Sequence, residues 1–238
     1  MTINPAAWDV LTFDCYGTLV DWEQGLAEVL ERMLGRYRVS VPRAELLERF
    51  AEFESEAEHG GYVPYREVLG AVAQRMGAEY GAALSDRDAE QLAKSVPEWP
   101  AFPDTVAALA RLATRYRLGV LSNIDDDLFA GTAAHLGVPF DPVVTAQQVS
   151  SYKPALQNFH ALLDQVGVPP VRVLHVAQSV FHDIAPATEL GLSCVWVDRR
   201  QGRPGGATPP SDVAPKWGVT GLAELAELLC PDRSAELP

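Results

Sequence analysis

Short apolar runs that alternate with helical patterns constrain the fold of this chain more than any other feature. Four runs predict buried strands, at residues 8–13, 118–122, 173–177 and 194–197, and a weaker fifth lies at 142–146. Amphipathic helical patterns separate them, at residues 105–116, 126–137, 155–167 and 185–191. Buried strands that alternate with helices predict an α/β fold with a doubly wound parallel sheet, covered by helices on both faces. The Gly- and Pro-rich segment 199–218 predicts a loop.

Residues 22–98 break this alternation. Their helical patterns follow one another, and no run that predicts a strand lies between them. We therefore predict a core formed by residues 1–21 and 99–238, with a helical domain, residues 22–98, inserted after the first strand.

Composition narrows the classes of partner. The formal net charge of −13 argues against nucleic acid and anionic membranes. No apolar run approaches the roughly 18 residues that span a bilayer, and the first residues lack a secretion signal.

The three cysteines, Cys15, Cys194 and Cys230, lie far apart in the sequence and do not have the spacing of zinc ligands. Free thiols in a cytoplasmic protein are the simplest explanation.

Polar residues follow the predicted strands at the points where the strands end. Asp14 ends the first strand, and Gly17 then allows a sharp turn. The other strand ends lead to the remaining candidates, which are Ser122, Asn123, Lys153, Gln178 and Asp183. Because the carboxyl ends of parallel strands share one edge of a sheet, we expect these side chains to meet in one crevice. Taken singly, each also fits a structural role as a turn or capping residue.

These residue types suit nucleophilic catalysis by a carboxylate. Asp14 can form a covalent ester or acyl-phosphate, and Lys153 can keep it ionised. Ser122 and Asn123 can donate hydrogen bonds to an anionic group of the substrate or to the leaving group. Asp183 can orient or deprotonate the water that resolves the intermediate. Cys15 is a weaker candidate nucleophile, because alternation along the strand points it away from Asp14.

Together these residues resemble the motifs of the haloacid dehalogenase superfamily of hydrolases. Asp14 with the Gly17–Leu19 segment is similar to the first motif, residues 121–123 to the second, Lys153 with Pro154 to the third, and Asp183 to the fourth. The resemblance implies a Rossmann-like core, an aspartyl covalent intermediate and an inserted α-helical cap that closes the site. It also implies a homodimer, since relatives of the dehalogenase type are often dimers.

Position 16 separates the branches of this superfamily. Its phosphatases carry a second aspartate two residues after the nucleophile, which protonates the leaving alcohol and helps to hold magnesium. This chain has Tyr16 there, as do 2-haloacid dehalogenases, whose halide leaving group needs no proton. The resemblance therefore implies no cofactor and no metal, and a small anionic organic substrate, a short 2-haloacid. Tyr16, Thr18, Ser122, Asn123 and Gln178 would contact that substrate.

Two departures from the dehalogenase pattern keep alternatives open. The part of the insertion that should supply a halide-binding arginine is dominated by acids, and Arg49 is the nearest candidate. The fourth motif has Gln178, Val180 and Asp183 where dehalogenases have Ser, Asn and Asp, so His182 or Gln178 would replace the asparagine. A magnesium-dependent phosphatase acting on a small phosphoester, or a catalytically silent binding protein of the same fold, remain alternatives.

Overall fold

The computed structural model describes residues 3–58, 60–203 and 211–231. Within them, one sheet contains six parallel strands in the spatial order β3-β2-β1-β4-β5-β6. The strands are β1 (Val10–Phe13), β2 (Arg117–Ser122), β3 (Val143–Thr145), β4 (Val173–Ala177), β5 (Ser193–Val197) and β6 (Trp217–Val219). The α/β fold with a parallel sheet is confirmed, and β1 lies at its centre.

Helices follow most strands and also fill the segment after β1. They are α1 (Trp22–Gly35), α2 (Arg43–Glu58), α3 (Tyr65–Glu79), α4 (Asp86–Ser95), α5 (Thr105–Ala113), α6 (Asp126–Leu136), α7 (Ala146–Val149), α8 (Leu156–Val166), α9 (Ala185–Glu189) and α10 (Leu222–Leu229). A single π turn, Val180–Ile184, leads into α9. No described helix is both long and apolar enough to cross a membrane.

Both faces of the sheet are covered by apolar side chains. Along β4, Leu174 and Val176 belong to one hydrophobic cluster, whereas Val173 and Ala177 belong to the other. This alternation follows from the two-residue period of a strand. It also explains why the strands read as unbroken apolar runs in the sequence.

We call α1–α4 the cap helices. Among described residues 22–58 and 60–98, no strand interrupts them. Leu30, Phe50 and Met76 of these helices are buried in the same hydrophobic cluster as Leu11 and Phe13 of β1. The cap helices therefore pack directly on the core, while the domain boundaries at residues 21 and 98 stay predictions.

One local detail differs from the sequence prediction, and one capping residue has a distant partner. β6 begins at Trp217, inside the segment predicted to be a loop, of which residues 204–210 lie outside the described part. Asp104 directly precedes α5, but its side chain makes no capping bond there. Its carboxylate instead pairs with Arg199 at 2.7 Å and accepts the Ala223 amide of α10 at 3.1 Å. The Asp104 carboxylate therefore bonds to residues distant in the sequence instead of capping α5.

Candidate active site

Asp14 lies at the carboxyl end of the central strand, where the chain turns sharply. Gly17 adopts a φ of 96°, which favours glycine. The turn brings Thr18 back towards Asp14, so that Thr18 Oγ1 donates to Asp14 Oδ2 at 2.7 Å and accepts the Gln178 amide at 2.9 Å. Thr18 is fully buried and contacts these two residues rather than a cavity.

Lys153 joins the two candidate catalytic carboxylates. Its Nζ donates to Asp14 Oδ1 at 2.9 Å, to Asp183 Oδ1 at 2.7 Å and to the Leu121 carbonyl at 3.1 Å. The ammonium therefore uses all three of its protons. Lys153 is 3% exposed, so this charge is held in place by its partners rather than by water.

Burial and pairing shift the ionisation of this triad in different directions. Burial raises the pKa of Asp14 from its ordinary value, and Asp183 adds to the rise while Lys153 opposes it. Asp183 responds oppositely: burial alone would raise its pKa, but Lys153 and His175 hold it below the ordinary value. Burial would lower the pKa of Lys153, yet the two carboxylates raise it. Lys153 is therefore charged at neutral pH.

His175 is a member of the site that the sequence analysis missed. Its Nε2 lies 3.0 Å from Asp183 Oδ1, and its Nδ1 lies 3.0 Å from Thr12 Oγ1. The available signal was one histidine inside the otherwise apolar strand β4. Asp183 Oδ2 is buried and has no hydrogen-bond partner in the described residues. That oxygen can accept a proton or a hydrogen bond from a water molecule.

Ser122 and Asn123 follow β2 and have different surroundings. Ser122 Oγ is buried and has no partner within the described part of the chain. Asn123 bonds to the backbone of Lys153 through both side-chain atoms, accepting from its amide at 2.7 Å and donating to its carbonyl at 3.1 Å. Asn123 thus positions Lys153, while Ser122 offers an unused hydroxyl to a ligand.

Tyr16 is fixed by contacts within the protein. Its hydroxyl lies 2.9 Å from Thr132 Oγ1, and its ring meets the edge of Trp99 at a centroid distance of 5.9 Å. Burial raises its pKa well above the usual range, so Tyr16 is neutral. Cys15, by contrast, is fully buried, and burial raises its thiol pKa as well, which disfavours a thiolate nucleophile.

A cavity of about 100 Å³ connects these side chains. With the exception of Thr18, every residue predicted for the site lines it. Sites for drug-sized ligands usually exceed about 300 Å³, so this one suits a molecule of a few heavy atoms. His182, also in its lining, has its pKa lowered to about 4 by burial and is neutral. A larger groove of about 800 Å³ shares Lys153 and His182 with the cavity.

The cap helices contribute acids to this cavity. Glu54 and Glu58 of α2 line it, together with Tyr65 of α3. Arg49 does not: its guanidinium pairs with Glu52 at 2.5 Å and Glu79 at 2.7 Å. The two glutamates were not predicted, because acids on a helix ordinarily indicate a solvated face.

Potential metal ligands form no cluster in the described residues. No group of three His, Cys, Asp or Glu side chains in residues 3–58, 60–203 and 211–231 is arranged to hold a metal ion. An ammonium, that of Lys153, lies between Asp14 and Asp183.

Comparison with known proteins places this chain in a family. A family model described as haloacid dehalogenase-like hydrolase matches residues 8–191. The chain belongs to this family of hydrolases. It is thus an enzyme of the class that the motifs around Asp14, Lys153 and Asp183 resemble.

The relatives of this haloacid dehalogenase-like hydrolase include both haloacid dehalogenases and a nucleotidase. It is 24% identical over 223 residues to an (S)-2-haloacid dehalogenase of Pseudomonas fluorescens, covering 91% of this chain and 94% of that one. It is 29% identical over 131 residues to the pyrimidine 5'-nucleotidase YjjG of Escherichia coli, covering 54% and 56%. A solved L-2-haloacid dehalogenase of Xanthobacter autotrophicus, with chloropropionic acid covalently bound, has a TM-score of 0.79 at 21% identity, covering 93% and 98%. That last likeness concerns the fold alone.

Proposed function

We propose that this hydrolase breaks the carbon–halogen bond of a short 2-haloacid through an ester on Asp14. One observation carries the proposal: a buried carboxylate, held by Lys153 and Thr18, faces a small cavity and has Tyr16, not an acid, two residues on. A halide departs as an anion without protonation, so a neutral Tyr16 is compatible with this reaction. The length of the likeness to (S)-2-haloacid dehalogenases supports the same branch.

The proposed reaction has two steps. Asp14 attacks C2 of the substrate with inversion and displaces the halide, which forms the ester. The hydroxyl of Ser122 and the second side-chain N–H of Asn123, the one that does not bond to the Lys153 carbonyl, hold the substrate carboxylate or the departing anion. Water then attacks the ester carbonyl and gives its proton to Asp183, whose Oδ2 is unpartnered in the described structure. Lys153 balances the charge of both carboxylates throughout.

No metal is required in this scheme, because no phosphoryl charge has to be neutralised. The small anionic substrate, a homodimer and a cytoplasmic location accompany the proposal as predictions. The three cysteines of the chain are free thiols in the structure, as expected for that compartment. Light scattering on the purified protein measures the oligomeric state.

A halide-release screen tests the proposal. The substrates are 2-chloro-, 2-bromo- and 2-fluoroacids of two to four carbons, each assayed with and without magnesium. We expect release of halide that magnesium does not change and that the Asp14→Asn variant loses. A Cys15→Ser variant is the matched control, because it alters the adjacent side chain and should retain activity. Halide release that survives Asp14→Asn contradicts the proposal.

A magnesium-dependent phosphatase is the second candidate function. The likeness to the nucleotidase YjjG over 131 residues favours it. Hydrolysis of p-nitrophenyl phosphate that stops on addition of a chelator supports this candidate. If neither halide nor phosphate is released from any compound, the chain is better described as a binding protein that retains the fold.

A further inference from the structure

The cap side of the cavity carries two carboxyl groups one helical turn apart. Glu54 and Glu58 both line the cavity that Asp14 faces, and both also line the larger groove outside it. Tyr65 donates a hydrogen bond to Glu54 Oε1. No side chain in the described residues donates one to Glu58. Within the described residues, Glu58 therefore has an unengaged carboxyl group where the cavity and the larger groove share their lining.

Neither glutamate forms an ion pair with a lysine or arginine of the cavity lining in the described residues. Lys153, the one lysine or arginine among the described residues of the cavity lining, is already bonded to Asp14 and Asp183. Two neighbouring carboxyl groups that are partly shielded from water cannot both ionise cheaply, so the pair retains a proton.

The retained proton resides on Glu58. Burial raises its pKa to about 9, and the neighbouring Glu54 adds to the rise. Burial raises the pKa of Glu54 to about 7, and the bond from Tyr65 favours its ionised form. The other titratable groups among the described residues that line the two cavities with Glu58 are Asp14, Tyr16, Tyr65, Tyr152, Lys153, His182 and Asp183. At neutral pH Glu58 is a carboxylic acid, which can donate a hydrogen bond.

We propose that Glu58 is a catalytic residue that donates a hydrogen bond to the departing halide, and that it makes the site selective for a short 2-fluoroacid. The proposal rests on the proposed function. In the displacement, an Asp14 oxygen bonds to C2, the C–F bond breaks, and fluoride leaves with the electron pair while it accepts a hydrogen bond from Glu58, which keeps its proton. Water then cleaves the ester and gives a proton to Asp183, which releases it to solvent, and the sum is fluoroacid plus water giving hydroxyacid, fluoride and a proton.

Fluoride is the halide for which such a donor matters most. It is the conjugate base of a weak acid and accepts hydrogen bonds strongly, whereas chloride and bromide are conjugate bases of strong acids. A donor aimed at the departing fluoride therefore lowers the barrier for C–F cleavage far more than that for C–Br cleavage.

The test compares fluoride release from fluoroacetate with bromide release from bromoacetate. Glu58→Met removes the donor, and we expect fluoride release to fall about 100-fold while bromide release changes less than about threefold. Glu58→Gln keeps an N–H donor, and its fluoride release should stay within about tenfold of the wild-type rate. Glu48→Met, at an exposed position on the same helix, is the control and should change neither rate.

The pH profile separates donation from simple packing. The wild-type ratio of fluoride to bromide release should fall as pH rises through about 9, because Glu58 then loses its proton. In Glu58→Gln the ratio should not depend on pH in this range. The use of a ratio cancels losses due to unfolding, which affect both substrates equally.

Four results overturn the inference. Equal losses of both activities in Glu58→Met would show a structural role only. Faster release of both halides in that variant would show that Glu58 repels an anionic substrate. If the wild-type enzyme releases bromide but no fluoride, the proposed selectivity for 2-fluoroacids is wrong, while the proposed function stands. If it releases no halide at all, the proposed function fails as well.

Discussion

Among single residues, the ammonium of Lys153 organises the site. Lys153, Asp14 and Asp183 are all buried, so each charge depends on the others rather than on water. Such a cluster adds little to stability compared with apolar packing, but removing one partner leaves an uncompensated buried charge. The stability of the fold and the ionisation of the nucleophile are therefore linked.

Replacement of Lys153 by methionine tests this linkage. We expect the free energy of unfolding to fall by about 3–5 kcal/mol at pH 8, and by less at pH 5. In the wild type, the lowered pKa of Asp183 gives stability that is present above its unfolded pKa and disappears as pH falls through the folded one. Without Lys153, burial raises the pKa of both carboxyl groups above their unfolded values, so stability falls as pH rises.

Urea denaturation at the two pH values measures the effect. Lys94→Met is the control, because Lys94 is exposed and pairs with exposed Glu90. It should leave the unfolding midpoint unchanged. An equal loss at pH 5 and pH 8 in the Lys153 variant would show that packing, not charge, explains it.

Whether a site residue could be predicted from the sequence depended on the element that positions it. Asp14, Lys153 and Asp183 were found because strand ends share one edge of a parallel sheet. Glu58 could not be found, because α2 carries acids on several faces and the sequence does not say which face turns inward. That choice is made by the packing of Phe50 and Phe53 of α2, which are both buried.

At the scale of elements, α1 packs against the wall of the cavity. A Cβ atom on Gly25 would lie 2.4 Å from Trp99 Cγ, so the helix approaches this ring as closely as glycine allows. Trp99 in turn contacts Tyr16 and lines the cavity. The packing of one helix therefore sets the position of two aromatic side chains at the site.

Substitution of Gly25 by alanine should disturb that wall. We expect a loss of about 1–3 kcal/mol in the free energy of unfolding from overpacking, together with a lower kcat/KM for halide release. Gly70→Ala in α3 is the matched control, since no atom lies within 4 Å of its added Cβ. It should stabilise the protein by up to about 1 kcal/mol through helix propensity. Urea denaturation and halide-release assays on both variants test this prediction. Similar changes in the free energy of unfolding in the two variants would contradict the packing argument.

Strands were predictable where the apolar run in the sequence was long. β4 occupies residues 173–177 as predicted, because five apolar or buried residues mark it. β6 has three residues, one of them Gly218, within a segment rich in Gly and Pro, and only pairing with β5 makes it a strand. Propensity carries too little information over three residues to indicate such an element.

For the molecule as a whole, the joint between the cap helices and the core matters most. α3 begins after Pro64, which offers no capping side chain. Asp125 of the core supplies the cap: its two oxygens accept the amides of Tyr65 at 2.8 Å and Arg66 at 3.0 Å. Asp125 is fully buried, so these bonds hold the cap helices to the core beside the cavity.

Removal of this cap should loosen α3 selectively. In Asp125→Ala we expect hydrogen exchange in the first turn of α3 to accelerate about 10- to 100-fold, because a buried amide and a partly buried one lose their acceptor. Exchange in α8, remote from the joint in the sequence, should not change. Asp127→Ala is the control, since exposed Asp127 pairs with the Arg66 side chain and not with the amides at the start of α3. Uniform acceleration across the protein would indicate global destabilisation instead.

The ester on Asp14 is the central claim, and one measurement addresses it directly. Enzyme in excess over a 2-haloacid completes a single turnover in heavy-oxygen water, and mass spectrometry then reads the peptide that contains Asp14 and the hydroxyacid product. The account predicts one heavy oxygen in the Asp14 carboxylate and an unlabelled product. Label in the product with none in Asp14 would contradict it.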